Sequence, residues 1–497
     1  MSFLYVHGGL TPDQWLTMLP ILILSLTIVV VTSAIALKRH HWWNATISVV
    51  GLNLALLPLF VHFWLPGVWT LPVPQTVTPL FGIDNYACFY MAMILVTSLA
   101  TATLSHAYME GYTGNREEVY LLLLLSTLGG LTVVCSRHFA SFFIGLELLS
   151  VPLYGMAGYL VKERRSLEAG TKYLVLSAVA SAFILFGMAL IYSQTGTLAF
   201  AAIGARSAEL AGSARTVMML GSAMLLVGIG FKLSLSPFHL WTPDVYEGAP
   251  APVTSYLATA SKTAVFALLV RYFVEARAYE MPTLVDVLTG LAILSIVVGN
   301  VLALRQDNLK RLLAYSSIAH FGYLLVALIA AGPLAVEAVG VYLLTYVVTT
   351  LAAFGVVTLM SSPYSDHDAE DLFDYRGLFW RRPYLTAILT VALLSLAGVP
   401  LTAGFIGKFY VMTVGADKHL WLLLGAVVLG SAVGLYYYLR AMVQLYLRQR
   451  WVQKYSAPLN WAQGTGGGML ILLMLAMLLL GIFPTPFINL VQAAGLH

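Results

Sequence analysis

Long apolar segments dominate this chain of 497 residues, and each is about as long as a helix that crosses a bilayer. Of the residues, 60% are hydrophobic and only 10% are charged, whereas soluble domains carry about 25% charged residues. Because lipid offers no partner to backbone polar groups, we expect every segment to be helical. The sequence therefore predicts an all-α polytopic membrane protein. The 14 predicted spans are residues 16–37, 44–65, 83–105, 118–136, 138–160, 169–193, 216–246, 252–275, 284–304, 312–331, 335–361, 384–416, 419–447 and 467–493.

Positively charged residues set the predicted topology. With both termini outside, the 26 Lys and Arg residues divide into 16 on the cytoplasmic side, 6 outside and 4 within the spans. Lys310 is counted with the cytoplasmic loops and Arg271 with the outer loops. This bias agrees with the positive-inside rule, so the net charge of +4 reflects topology and gives no reason to expect nucleic-acid binding. Lys38 and Arg39 follow the first span in place of a cleavage site, which predicts that this span is retained.

Ionisable side chains lie inside five of the predicted spans. They are Glu147, Lys172, Lys232, Lys262 and Lys408. A charge at the centre of a bilayer costs about 2.5–3.5 kcal/mol on insertion scales, so such residues are usually kept for ion movement. The alternative is a structural ion pair.

Two spans are predicted to be broken. Pro237 interrupts the seventh span shortly after Lys232, and Pro400 interrupts the twelfth shortly before Lys408. Taken alone, either proline is also compatible with a plain kink. Broken helices near ionisable groups in matching positions of two halves are typical of ion transporters, and each break is in the fourth span of a set of five. We therefore expect an N-terminal unit (1–117), two five-helix repeats (118–275 and 284–450) and a C-terminal helix (451–497).

Buried lysine suits proton transfer because an apolar environment disfavours its ammonium form. Making and breaking a contact between Glu147 and Lys232 would drive a proton onto and off the lysine. Lys262 is central in its span, and Lys408 lies toward the outer side. Lys172 is only about one turn into its span, so its side chain can also reach the cytoplasmic surface.

Two histidines are tentative members of the same relay. His239 is seven residues after Lys232, with Ser236 between them, so a continuous helix would put all three on one face. His320 lies within the tenth span. Imidazole both donates and accepts protons near neutral pH. The alternative for each is a buried histidine that only satisfies its own hydrogen bonds.

Motifs for a cofactor or a metal are missing from the sequence. It has no phosphate-binding GxxxxGK[ST] loop, no CxxC or HExxH motif and no dinucleotide fingerprint. We expect no cofactor and no metal in this chain. The energy for ion movement must then come from a partner or from a second ion gradient.

Three stretches of the sequence resemble the antiporter-like subunits of respiratory complex I. They are GIGFKLSLSPFHLWTPDVYEGAPAPVTSYLATASKTAVF, NLKRLLAYSSIAHFGYLL and SLAGVPLTAGFIGKFYV. The resemblance implies 14 helices, two inverted five-helix repeats and a row of buried charges. By motif, Glu147 matches the glutamate of the fifth helix and Lys232 its partner lysine. Lys262 matches the central lysine of the eighth helix, Lys408 the terminal lysine of the twelfth, and Lys172 a lysine of the sixth.

The resemblance also implies partners and a location. Other membrane-arm subunits would surround the chain, and partner subunits would hold flavin and iron–sulfur clusters and handle NADH and quinone. Bound phospholipid is expected. The location would be a bacterial inner membrane, with both termini periplasmic. We therefore expect a proton-translocating subunit of NADH:quinone oxidoreductase. The alternatives are a subunit of a multisubunit cation/proton antiporter and a structural membrane anchor.

Overall fold

The computed structural model describes residues 10–112, 114–361, 368–448 and 464–496. Within them, 12 helices are long and apolar enough to cross a membrane, and the shorter apolar helices Glu118–Val134 and Pro383–Ala397 fall in predicted spans. The predicted all-α polytopic membrane fold is confirmed. Both chain ends and residues 451–463, at the start of the predicted C-terminal unit, lie outside the described residues.

The described helices, in chain order, are α1 (Pro12–Thr17), α2 (Leu19–Leu37), α3 (His41–Trp64), α4 (Asn85–Met109), α5 (Glu118–Val134), α6 (Phe139–Ala157), α7 (Arg164–Thr195), α8 (Phe200–Ser207), α9 (Gly212–Leu233), α10 (Trp241–Gly248), α11 (Ala251–Tyr256), α12 (Lys262–Glu275), α13 (Pro282–Ala303), α14 (Leu309–Ala330), α15 (Pro333–Met360), α16 (Leu378–Arg381), α17 (Pro383–Ala397), α18 (Ala403–Asp417), α19 (Trp421–Tyr446), α20 (Thr465–Ile482) and α21 (Thr485–Ala493). A π-helical turn (Leu257–Ser261) joins α11 to α12, and a 3-10 turn (Ala278–Glu280) follows α12. Strands β1 (Gln75–Thr78) and β2 (Phe81–Ile83) form an antiparallel hairpin that was not predicted.

Glycine residues let neighbouring helices pack closely. A Cβ atom at Gly187 in α7 would lie 2.6 Å from the carbonyl oxygen of Gly221 in α9. Small residues at such crossings are typical of membrane helices, where dispersion contacts between close backbones drive association. The tight packing fixes α9 against α7, and α9 carries Lys232.

The seventh predicted span is broken as expected. Helix α9 ends at Leu233, Ser234 adopts a left-handed conformation with φ 64°, and α10 begins only at Trp241. Side chains satisfy the exposed backbone: Trp241 donates to the carbonyl of Phe231 at 3.0 Å, and the hydroxyl of Ser295 accepts from the Ser236 N–H at 2.9 Å. Because the helix ends at Leu233, the expectation that Ser236 and His239 continue the helical face of Lys232 is wrong.

The twelfth predicted span is broken between α17 and α18. Gly398 ends α17 with φ 82°, and a Cβ atom there would lie 2.7 Å from Cδ of Lys408, so glycine meets both a backbone and a steric requirement. The last predicted span is also divided, between α20 and α21 at Phe483 and Pro484. This third break was not predicted.

The close packing of α7 against α9 gives a first test. Gly187→Val should destabilise the protein by about 1–3 kcal/mol, because the added side chain forces the two backbones apart. Gly290→Val is the matched control, since nothing lies within 4 Å of a Cβ at Gly290. Thermal unfolding of the detergent-solubilised protein measures both. Equal melting temperatures for the two variants would contradict the role of this glycine.

Candidate functional site

Glu147 lies midway along α6 and is only partly buried in this chain. Its Oε1 atom accepts a hydrogen bond from the hydroxyl of Ser181 in α7 at 2.5 Å. A carboxylate at this depth in a span needs such a donor because lipid supplies none. Ser181 therefore satisfies one carboxyl oxygen of Glu147 within the span.

Lys232 is buried between α6 and α7, in the last turn of α9. Its ammonium donates to the hydroxyls of Ser150 at 2.8 Å and Ser177 at 2.6 Å. The Tyr154 hydroxyl lies 2.6 Å from that of Ser177. Lys232 is thus held by neutral oxygen atoms that accept hydrogen bonds.

Glu147 and Lys232 are close but are not in direct contact. Among the described residues, no ion pair within 4 Å joins them. The partners of the two groups, Ser181 and Ser177, are one helical turn apart on α7. Two serine hydroxyls therefore lie beside the predicted coupling pair.

Lys262 is fully buried at the start of α12, directly after the π-helical turn. Its ammonium donates to the Ser317 hydroxyl at 2.8 Å. The rings of Tyr246 and Phe321 lie 5.4 Å and 5.1 Å from the same nitrogen, within cation–π distance. In the described part of the chain, no carboxylate forms an ion pair with Lys262.

His320 lies in α14, one turn from Ser317. The hydroxyl of Tyr346 donates to Ser317 at 2.8 Å, and the Tyr346 ring contacts the imidazole at a centroid distance of 5.5 Å. The Nδ1 atom of His320 lies 2.7 Å from the Tyr342 hydroxyl, and Nε2 lies 3.3 Å from that of Tyr438. A set of hydroxyl groups thus surrounds the predicted relay histidine.

Lys408 binds the end of the preceding half-helix. Its ammonium donates to the carbonyl oxygens of Leu396 at 3.0 Å and Ala397 at 2.8 Å, and it lies 5.5 Å from the Tyr323 ring centroid. The last carbonyls of a helix have no helical partners and form the negative end of its dipole. The break in the twelfth span therefore creates the binding site for this ammonium.

A cavity of about 10 Å³ separates the surroundings of His320 from those of Lys408. Its lining includes His320 and Tyr346 together with Ser395 and Leu396. The carbonyl of Leu396 is one of the two that bind Lys408. This volume is close to the minimum that holds one water molecule.

Lys172 lies at the predicted cytoplasmic end of the bundle, with a side chain 39% exposed. It pairs with Glu168 and with Asp244 of α10, both at 2.7 Å. Arg311 binds Asp244 at 2.8 Å and Glu247 at 2.6 Å. These residues line an open cavity of about 250 Å³. Lys172 is thus separate from the buried lysines, in an ion cluster that holds α10.

The assignment of Lys310 to a cytoplasmic loop is wrong. The residue lies in the first turn of α14, and its side chain is 1% exposed. Its ammonium donates to Asp368 at 2.8 Å and to the carbonyl of Ala249 at 2.7 Å. Nearby, Arg165 pairs with the loop residue Glu370. Burial raises the pKa of Glu370, although Lys310 and Arg165 oppose that shift. Arg271, assigned to the outer loops, is fully buried in α12.

His239 is buried in the connection between α9 and α10, with 6% of its surface exposed. Its Nδ1 atom has no hydrogen-bond partner within the described ranges. The relay role of His239 stays a prediction.

Sequence reasoning missed the neutral partners of the charged groups. These are the hydroxyl side chains Ser150, Ser177, Ser181, Ser317, Tyr154, Tyr342, Tyr346 and Tyr438. Serine and tyrosine are ordinary residues in membrane helices. The one available signal was that Ser177 and Ser181 share a helical face.

Comparisons with known proteins place this arrangement in a family. The family model described as "NADH:quinone oxidoreductase/Mrp antiporter, TM" matches residues 136–434. The chain is 56% identical over 491 residues to NADH-quinone oxidoreductase subunit N of Ectopseudomonas mendocina, which covers 98% of this chain and 97% of the relative.

Solved structures agree with this match. A chain of respiratory complex I from Thermus thermophilus, with bound aureothin, shares 34% identity and a TM-score of 0.81, covering 96% of this chain and 100% of that one. A chain of the Mrp complex from Dietzia has a TM-score of 0.82 at 18% identity, with 97% of each chain covered, which indicates the shared fold alone. This chain belongs to the NADH:quinone oxidoreductase/Mrp antiporter transmembrane family.

Proposed function

We propose that this chain is an antiporter-like membrane-arm subunit of a respiratory NADH:quinone oxidoreductase, in the position of subunit N, and that it translocates protons. Glu147 and Lys232 form the coupling pair, Lys262 is the central relay group, and Lys408 is the group that releases protons to the outer side. Lys172, His239 and His320 are tentative members. The 56% identity to a subunit N supports the type of complex.

The environment of Lys262 carries the proposal. Its ammonium is fully buried and has the Ser317 hydroxyl and two aromatic rings as neighbours. A carboxylate partner would hold the proton firmly, whereas neutral partners stabilise an ammonium only modestly against the energy of burial. Lys262 can therefore take up and release a proton as its surroundings change.

A route from Lys262 to Lys408 is supported by two hydrogen bonds, one contact between rings and a small cavity. It runs from Ser317 to Tyr346, then to His320 and to the cavity of about 10 Å³. One water molecule in that cavity would reach the carbonyl groups that bind Lys408. The route crosses from α12 through α14 and α15 to the break between α17 and α18.

Glu147 and Lys232 are suited to switch between contact and separation, because their hydrogen-bond partners are one turn apart on α7. Ser181 holds the carboxylate, while Ser177 holds the ammonium. A movement that lets the two charges meet directly would strengthen the hold of Lys232 on its proton, and separation would weaken it. Such a pair converts a displacement of helices into a change of protonation.

Energy would come from redox reactions in partner subunits. The chain has two cysteines, whereas the usual iron–sulfur cluster takes four thiolates. We assign flavin, iron–sulfur clusters and the handling of NADH and quinone to those subunits. The other membrane-arm subunits and the lipid bilayer are the direct partners of this chain, and bound phospholipid is expected.

The arrangement in the membrane remains part of the proposal. The distribution of basic residues supports a bacterial inner membrane with both termini periplasmic. The breaks that follow α9 and α17 support two inverted five-helix repeats at residues 118–275 and 284–450. They lie in the fourth span of each set.

Purification tests the type of complex. The chain, tagged in its native host, should co-purify with flavin and iron–sulfur subunits that oxidise NADH. Co-purification with other membrane subunits and without NADH-oxidising activity would contradict the proposal and favour a multisubunit cation/proton antiporter.

Replacement of Lys262 tests the relay. Lys262→Met keeps much of the side-chain volume and removes the charge, so proton pumping by the complex in proteoliposomes should fall roughly tenfold or more. Lys418→Ala, at an exposed lysine, is the control and should pump normally. Normal pumping by an assembled Lys262→Met complex would favour a structural anchor.

Replacement of Lys172 should reduce proton pumping far less than replacement of Lys262. Lys172→Gln removes a pair that is partly exposed, and Arg311 continues to bind Asp244. Exposed pairs contribute about 0–1 kcal/mol, so most of the pumping rate should remain. A loss as complete as that of Lys262→Met, in the same assay, would place Lys172 in the essential relay.

A further inference from the structure

A buried arginine lies at the predicted outer end of α12, the helix that begins with Lys262. Arg271 is fully buried, and its two terminal nitrogens donate to the two carboxylate oxygens of Asp84, both at 2.8 Å. Glu275 lies 3.4 Å away, one turn further out, and the guanidinium stacks 4.9 Å from the Tyr86 ring. The charge is thus fixed in one position by a bidentate pair and an aromatic face.

Asp84 has no free oxygen with which to carry a proton. Its Oδ1 also accepts from the backbone N–H of Ala87 at 2.8 Å, and its Oδ2 also accepts from Arg137 at 2.7 Å. Four donors therefore occupy the carboxylate. Arginine itself does not release its proton in proteins. The pair has no member that can pass a proton inward.

An open cavity on the predicted outer side lies next to this pair, at Arg137 and Glu275, which contact Asp84 and Arg271. It has a volume of about 360 Å³ and is lined by Arg137, Glu275 and neighbouring apolar residues. Both charged residues are partly exposed, whereas Arg271 behind them is not. Arg271 is nine residues from Lys262, or about 14 Å along a helix. Every residue of α12 between the two is buried.

The second half of the chain has a different outer end. Glu337, one turn into α15, accepts a hydrogen bond from Gln492 at 3.0 Å. Within the described residues, no Lys, Arg or His forms an ion pair with it. Within these ranges, Glu337 therefore lacks the arginine partners that Asp84 has in the first half.

We propose that Arg271 is an electrostatic barrier that prevents protons in the outer cavity from reaching Lys262. A fixed guanidinium repels a hydronium ion, as arginine does in proton-excluding channels. The inference rests on the proposed function, in which Lys262 relays protons and Lys408 releases them. With the barrier in place, Lys262 exchanges protons with the cytoplasmic side alone. Arg271 thereby prevents proton transfer from the outer side back to Lys262.

The test measures passive proton leak through the assembled complex in proteoliposomes, without NADH. The double variant Asp84→Asn with Arg271→Gln removes both charges and keeps a polar pair. An imposed pH gradient should decay several-fold faster than with the unchanged complex. Asp84→Asn alone keeps the Arg271 charge and should remain tight. An unchanged decay in the double variant, or a leak in Asp84→Asn alone, would overturn the proposal.

A second buried ion pair serves as the matched control. Lys310→Gln with Asp368→Asn removes a buried pair at the opposite end of the bundle. This variant should not leak, since the pair that it removes lies far from the outer cavity. Equal leaks in both double variants would mean general loosening of the bundle and would reject the barrier.

Two further variants allow the test to be made if the double variant does not assemble, and they separate the barrier from the proposed relay. If the double variant does not assemble, Arg271→His should leak more at alkaline pH, where imidazole is neutral, than at acidic pH, relative to the unchanged complex. A leak without this dependence rejects the barrier. Adding Lys262→Met to a leaking variant should restore tightness. A persistent leak there would reject the route through Lys262, whereas normal pumping by Lys262→Met alone would reject only the proposed relay.

Discussion

A charged group inside an apolar medium requires an oxygen atom or an opposite charge within reach, and the positions of the helices around the buried lysines meet this requirement. Two serine hydroxyls bind Lys232, one binds Lys262, and two backbone carbonyls bind Lys408. In the described structure, none of these lysines has a carboxylate within ion-pair distance. Neutral oxygen atoms accept hydrogen bonds from the ammonium, and they can also accept them from the neutral amine. Both protonation states of each lysine therefore fit the same site.

The broken helices follow from the same constraint. Backbone groups freed by a break must find partners within the protein, and at the first break Trp241 and Ser295 supply them. At the second break, the side chain of Lys408 itself satisfies the freed carbonyls. The lysine and the break therefore stabilise each other.

Much of the fold could be predicted because its signals are local. Apolar length predicts the spans, and Pro237 and Pro400 predict both breaks. The positions of Ser236 and His239 could not be predicted, because the left-handed conformation of Ser234 ends the helix four residues after Gly230. Pro237 indicates that the helix breaks, but no residue indicates that it already ends at Leu233.

The site was predictable only in its charged members. Serine is common in membrane helices, so Ser177 and Ser317 acquire their roles from the helices that face them. Lys310 and Arg271 were assigned to loops because they lie near the ends of apolar segments. Their partners, Asp368 and Asp84, are 58 and 187 residues away, and no short-range pattern reveals such pairs.

The binding of Lys408 by the end of α17 links chemistry to shape in both directions. While the amine is protonated, it holds two carbonyl groups of one half-helix from within the next; when it is neutral, that attraction is largely lost. The protonated amine contributes a certain free energy to holding α17 against α18. By thermodynamic reciprocity, a displacement that separates the two helices lowers the affinity of Lys408 for its proton by that same free energy. If Lys408 releases protons as proposed, a movement that separates the two half-helices would favour that release, and protonation of Lys408 would draw them together.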